Sequence, residues 1–199
     1  QFEQTNFLPV TQLRGQISLL SSSDVSIGLK TVICGEGYIT PALNGTHNCG
    51  ATYNKGLFTT ELREQDHCAN IEQMNATDNG LGLALGPQNT SSMDGRANYR
   101  CTTKDYLPIV GPVPYLPTFL DEFSDLRRDA RKLVPSLGSY QPNLYVHCGM
   151  GSRGLCYAPL TAEILATEIA GEITPLEREL RLAMHPARFV IRDLKKKRI

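Results

Sequence analysis

The chain has 199 residues, enough for one domain or one and a half with a substantial core. Lysine plus arginine equals aspartate plus glutamate at 20 each, so no global field draws it towards nucleic acid or a membrane surface. No apolar run approaches membrane-spanning length and no signal-peptide pattern opens the sequence, so a cytoplasmic protein is expected. In chain order, runs rich in β-branched and aromatic residues predict strands over 13–20, 30–34, 37–41, 47–53, 97–102, 108–110 and 144–148. Asn44-Gly45 between two of these runs is a hairpin signal. A helix with a mixed face is expected over 60–77, and glycine and asparagine mark 79–95 as a loop. Phe119, Phe123, Leu126, Ala130 and Leu133 recur at helical spacing, with Thr118 and Asp121 able to cap, which predicts a helix over 119–134. The strongest helix signal covers 156–171: Pro159 suits a first turn, Leu160, Ile164, Leu165 and Ile169 form an apolar stripe, and Gly171 ends it. Thr174-Pro175 opens a last short helix to about Met184. The pattern is α+β with no internal repeat.

The six cysteines, at 34, 49, 68, 101, 148 and 156, form no paired motif and read as reduced thiols, mostly core filler. His47, His67, His147 and His185 have no metal-ligand spacing, so no metal site is expected. Between Arg188 and Arg198 lie six cations and one acid, Asp193. Lys195, Lys196, Lys197 and Arg198 either contact phosphate or form a solvated terminus. The run His147-Cys-Gly-Met-Gly-Ser-Arg-Gly154 places three glycines between a strand and a helix. Glycine lets backbone approach a ligand closely, and a helix start offers unpaired N–H groups. A phosphate-binding loop is not indicated, because its lysine is missing. On spacing alone, a tight turn without a ligand stays open.

Three stretches together resemble the FAD-dependent amine oxidases of the glycine oxidase and D-amino-acid oxidase class: Leu13-Arg-Gly-Gln16, Arg100-Cys-Thr-Thr-Lys-Asp-Tyr-Leu-Pro-Ile-Val-Gly111, and the glycine turn. Gly37-Tyr-Ile-Thr-Pro41, Gly50-Ala-Thr-Tyr53 and Ala158-Pro159 extend the likeness to the oxidase half of the bifunctional enzymes that build 5-methylaminomethyl-2-thiouridine in tRNA. The resemblance implies a substrate domain over 1–140 with a mixed, largely antiparallel sheet and flanking helices, and the C-terminal strand-turn-helix of a FAD domain with a basic tail over 141–199. It also implies that this is a fragment lacking an N-terminal Rossmann unit and an S-adenosylmethionine-dependent methyltransferase domain, so that FAD binding by the chain alone is expected to be weak or nil.

The resemblance assigns roles. Arg100 corresponds to the arginine that pairs with the substrate carboxylate, and Tyr38 to a tyrosine lining the substrate side of the ring. Gly149, Met150, Gly151, Ser152, Arg153, Gly154 and Leu155 correspond to the turn facing the flavin's pyrimidine edge. Arg14 and Gln16 fall beside the substrate cavity, with a strand-edge structural role left equally open. The implied activity is oxidative removal of the carboxymethyl group from 5-carboxymethylaminomethyl-(2-thio)uridine at the wobble position of tRNA, where the basic tail would contact phosphates. Two alternatives stay open: oxidation of free glycine or sarcosine, and a cofactor-free fragment that contacts RNA without activity.

Overall fold

The computed structural model describes residues 2–199, and they pack as two compact units. One unit is Gln12–Arg100; the other holds the chain up to Thr11 together with Cys101–Ile199. The division by packing therefore differs from the expected boundary at residue 140: residues 101–140 cluster with the C-terminal segment.

The Gln12–Arg100 unit is organised by strand β1 (Val10–Ser21), which enters it at Gln12. The order β2 (Ile33–Cys34), β3 (Tyr38–Ile39), β4 (Thr46–Gly50), β1, β5 (Asn54–Lys55) runs across the sheet, and β6 (Gly95–Thr103) also pairs with β1. The pairings β1–β4, β1–β5, β2–β3 and β3–β4 are antiparallel. The hairpin expected at Asn44-Gly45 forms, with both residues at positive φ. Helix α1 (Glu64–Thr77) and helix α2 (Asn79–Leu85) supply Met74, Leu81 and Leu85 to a core shared with Leu20, Ile39 and Cys49. Each such side chain, fully buried, contributes roughly 1.5–3 kcal/mol.

Helix α2 lies where a loop was expected. Its two glycines weaken helix propensity, but the Asp78 side chain accepts from the Gly80 amide as an N-cap and Leu81 and Leu85 reach the core. Gly82 leaves the room that the Asn75 side chain occupies. Tertiary packing overrides composition here.

In the other unit, β7 (Ile109–Pro114) and β8 (Tyr140–Cys148) form a two-stranded antiparallel sheet, with Ile109 opposite Cys148. Helix α3 (Leu116–Glu122) is followed by a 3-10 turn at Ser124–Arg127, so the helix expected over 119–134 stops early. Phe119 and Leu126 still bury in one cluster with Ala187, Val190 and Leu194. Beyond them the Asp129 carboxylate accepts from the Arg131 amide, a local bond that competes with helix, and Leu133 is exposed.

Helix α4 (Gly154–Ala170) ends at Gly171 in the left-handed region, as expected. Its buried stripe is rotated from the expected one: Thr161, Ile164 and Thr167 are buried, whereas Leu160 and Ile169 are exposed. The Thr161 hydroxyl bonds His147 Nε2 at 2.7 Å and so pins that face onto β8. Two helices follow, α5 (Arg178–Met184) and α6 (Arg188–Lys195). The second was not anticipated, because its cations read as a tail. Phe189, Val190 and Leu194 anchor it. No helix among the described residues is long and apolar enough to cross a membrane.

Candidate active site

Alternation along β1 sends Arg14, Gln16 and Ser18 to one face, where they meet helix α1. Arg14 is fully buried. Its Nε donates to the Thr59 carbonyl, Nη1 to Asp66 at 2.7 Å, and Nη2 to both Gln16 Oε1 and the Glu61 carbonyl. Gln16 accepts from the Arg63 amide and donates to the Arg63 carbonyl. Asp66 also accepts from Asn54, while Asn70 donates to the Gln16 carbonyl and the Ser18 hydroxyl. Both side chains proposed beside a substrate cavity are thus occupied in tying residues 59–63 to the sheet, and this geometry favours the structural alternative.

Arg100 is arranged otherwise. It sits near the end of β6, half-buried, with Nη1 donating to the Thr52 carbonyl at 3.1 Å and Cζ 4.6 Å from the centre of the Tyr53 ring. Nε and Nη2 find no protein acceptor, and no carboxylate pairs with the guanidinium, among the described residues. Tyr38, opposite Gly50 in the β3–β4 pairing, lies within the field of Arg100. Burial raises the Tyr38 phenol above its usual range, with Arg100 opposing the shift, so the hydroxyl stays protonated near neutral pH. The unit therefore brings Arg100 and Tyr38 together. Thr52 and Tyr53 belong to the same constellation. Nothing in their spacing revealed it, although Gly50-Ala-Thr-Tyr53 was among the stretches that carried the resemblance.

The glycine turn occupies Gly149–Arg153, between β8 and α4. Gly149 and Gly151 have φ of +75° and +58°, and a Cβ on Gly149 would stand 2.9 Å from the Thr103 side chain. The Gly151 amide donates to the Cys101 carbonyl, the Gly149 amide to the Cys101 thiol, and the Arg153 amide to the Met150 carbonyl. These three amides are committed within the protein. The amides of Met150, Ser152, Gly154 and Leu155 make no protein hydrogen bond among the described residues, and Ser152, Arg153 and Leu155 are exposed. An exposed row of unpaired donors at a glycine turn and helix start fits the electron-rich edge of a flavin. The residues present are compatible with that group.

Cys101 and Cys148 form a contact that sequence spacing, 47 residues apart, did not signal. The Cys148 thiol, followed by the Gly149 amide, lowers Cys101 to about 6 against opposing burial; contact with Cys101 and burial push Cys148 up. Of the six cysteines Cys49 is the fully buried one, with its thiol pushed up to about 12 by burial, and Cys148 packs partly buried against Leu8, Ile109 and Phe189. No disulfide and no metal-ligating cluster occurs among the described residues.

The motif after Arg100 is explained by its own bonds. Thr103 donates to the Leu107 carbonyl, and Asp105 takes Arg188 Nε and Nη2, each at 3.1 Å. Burial, the largest single influence, would raise the Asp105 carboxyl, but the Arg188 guanidinium together with the Thr103 hydroxyl and the Leu107 amide holds it below the usual range. Arg192 lies 3.9 Å from the same carboxylate. Two of the six C-terminal cations are therefore structural. Arg198 pairs with Asp193 at 3.6 Å, and Lys195, Lys196 and Lys197 are exposed.

A model of the family described as FAD dependent oxidoreductase matches residues 2–168. The tRNA 5-methylaminomethyl-2-thiouridine biosynthesis bifunctional protein MnmC of Saccharophagus degradans is 45% identical over 196 residues, 98% of this chain and 27% of that protein. The Chromobacterium violaceum protein of the same name is 39% identical over all 199 residues, which make up 30% of it. The chain spans under a third of the length of these relatives. Glycine oxidase from Geobacillus kaustophilus superposes with a TM-score of 0.65 at 17% identity, over 91% of this chain and 40% of that one. Iminodiacetate oxidase from Chelativorans sp. BNC1 superposes with 0.58 at 22% identity, over 87% of this chain and 39% of that one. The two structural likenesses show a shared fold.

Proposed function

Because this chain belongs to the FAD dependent oxidoreductase family, whose cofactor is FAD, we propose that it contributes the substrate-gripping part of a tRNA-modifying amine oxidase. The substrate is 5-carboxymethylaminomethyl-(2-thio)uridine at the wobble position. Its secondary amine loses two electrons and two protons across the N–CH2 bond, and water cleaves the resulting C=N bond to release glyoxylate and the aminomethyl nucleoside. FAD supplies the two-electron acceptor when bound.

Arg100 carries this reading, as a half-buried guanidinium with two unsatisfied nitrogens and no carboxylate partner among the described residues. Such a fork suits a carboxylate, held by two parallel charge-assisted bonds, and so fixes the adjacent C–N bond. Tyr38, protonated beside it, offers a second donor to the same end of the substrate. The unpaired amides of Met150, Ser152, Gly154 and Leu155 would hold the flavin edge, and Arg153 adds a cation there. Lys195, Lys196, Lys197 and Arg198 would contact tRNA phosphates without reading sequence. The remainder of the bifunctional protein, including the S-adenosylmethionine-dependent methyltransferase domain, would methylate the product amine, and a tRNA substrate places the enzyme in the cytoplasm.

The same clamp would serve free glycine or sarcosine. Comparing glyoxylate release from tRNA bearing the carboxymethylaminomethyl group with release from free glycine separates the two substrates. In the complete FAD-loaded protein, Arg100→Ala lowers kcat/KM on the tRNA by about 100-fold or more while flavin content is kept. Unchanged turnover refutes the clamp.

A further inference from the structure

Gly15 stands in β1 between Arg14 and Gln16, on the opposite face from their side chains. Glycine inside a strand weakens it and marks a close approach by another group. The backbone does not demand glycine here, since Gly15 is absent from the positive-φ positions that include Gly149 and Gly151. Space does. A Cβ at Gly15 would overlap Nη1, Cζ and Nη2 of Arg100, the three atoms nearest to it. The guanidinium thus lies directly against the bare backbone of β1, with Nη1 on the Thr52 carbonyl and the Tyr53 ring 4.6 Å from Cζ.

We propose that Gly15 is a positioning residue for carboxylate recognition: its missing side chain seats the Arg100 guanidinium so that Nε and Nη2 face the substrate. The proposal rests on the clamp reading above and adds the determinant of the clamp's geometry. A methyl group at position 15 meets the far end of a flexible side chain, so the chain relieves the overlap by swinging the guanidinium aside rather than by unfolding. The two nitrogens then lose their common direction, and bidentate pairing is lost with it.

The test is a double-mutant cycle in the complete FAD-loaded protein, with tRNA bearing 5-carboxymethylaminomethyluridine as substrate and glycolate as a non-reacting carboxylate probe. Gly15→Ala lowers kcat/KM by about 10- to 100-fold, chiefly through KM, and weakens glycolate binding about tenfold, with flavin content and thermal midpoint near wild type. In the Arg100→Ala background the same substitution changes neither quantity by more than about twofold. An equal loss in both backgrounds, or wild-type kinetics of Gly15→Ala beside an inactive Arg100→Ala, overturns the positioning role and leaves the clamp standing. Wild-type turnover of Arg100→Ala overturns the clamp, and this proposal with it. Should Gly15→Ala fail to fold, recovery of folding in the double variant supports the overlap with Arg100; failure of both variants refutes it.

Discussion

Arg14 and Arg100 belong to the same compact unit and have opposite surroundings. Arg14 is enclosed by two backbone carbonyls, a glutamine and an aspartate, and the partners are themselves bonded to Asn54 and Arg63. Arg100 spends one nitrogen on the Thr52 carbonyl and rests near a tyrosine ring. A buried cation with all three guanidinium nitrogens engaged by the protein has no free edge for a ligand, and its value is to the fold. A half-buried cation with donors to spare keeps the capacity to bind an anion. The distinction between scaffold and site is therefore one of hydrogen-bond satisfaction, more than of residue type.

The largest effect expected from this contrast is at Asp66. Asp66→Ala leaves the Arg14 guanidinium buried without its counter-ion and should lower unfolding free energy by about 3–5 kcal/mol. Urea denaturation measures it. A loss under about 1 kcal/mol would mean that the Arg14 network is not the scaffold described.

Much of the strand framework could be read from the chain, because alternation and turn chemistry are local. β1, β6, the Asn44-Gly45 hairpin and the Gly171 helix end all follow from short-range pattern. What escaped was decided by partners distant in sequence. The buried face of α1 is Asp66, His67, Asn70 and Met74, which no hydrophobic periodicity reports, and it is tolerated because β1 supplies matching polar groups. Helix α6 escaped because Arg188 and Arg192 look like tail charges until Asp105, more than eighty residues earlier, is placed beside them. Arg100 could be singled out only through its motif, and Thr52, Tyr53 and Gly15 became its neighbours only in three dimensions.

Asp105–Arg188 is an intermediate case between the two arginines, with side chains 28% and 11% exposed. Arg188→Ala removes two charge-assisted bonds to the carboxylate and bonds to the carbonyls of Met184 and Leu107. A loss of about 1–3 kcal/mol is expected, below that at Asp66 because water still reaches the pair. Equal losses at the two sites would erase the grading by satisfaction.

A smaller effect should appear on acidification through His185. Burial, then Arg181 and Arg188, depress this imidazole from 6.5 to about 4. The unfolded chain takes up a proton there below about 6.5 while the folded chain does not until about 4. Stability is therefore full above about 6.5 and declines as pH falls towards 4. His185→Gln should flatten that part of the stability–pH curve. A slope unchanged by the substitution would move its origin elsewhere.

The smallest stability change belongs to the residue with the largest proposed role. Arg100→Ala gives up one hydrogen bond to the Thr52 carbonyl and a contact with the half-exposed Tyr53 ring, each worth about 0.5–1 kcal/mol in such a setting. It also frees Tyr38 and the surrounding backbone from an unpaired charge. These terms oppose one another, so the thermal midpoint should move by no more than a few degrees. A group kept in a partly dehydrated position with so little return to the fold is explained by what it binds. If Arg100→Ala proved as damaging to stability as Asp66→Ala, the guanidinium would be scaffold, and the contrast between the two arginines would collapse.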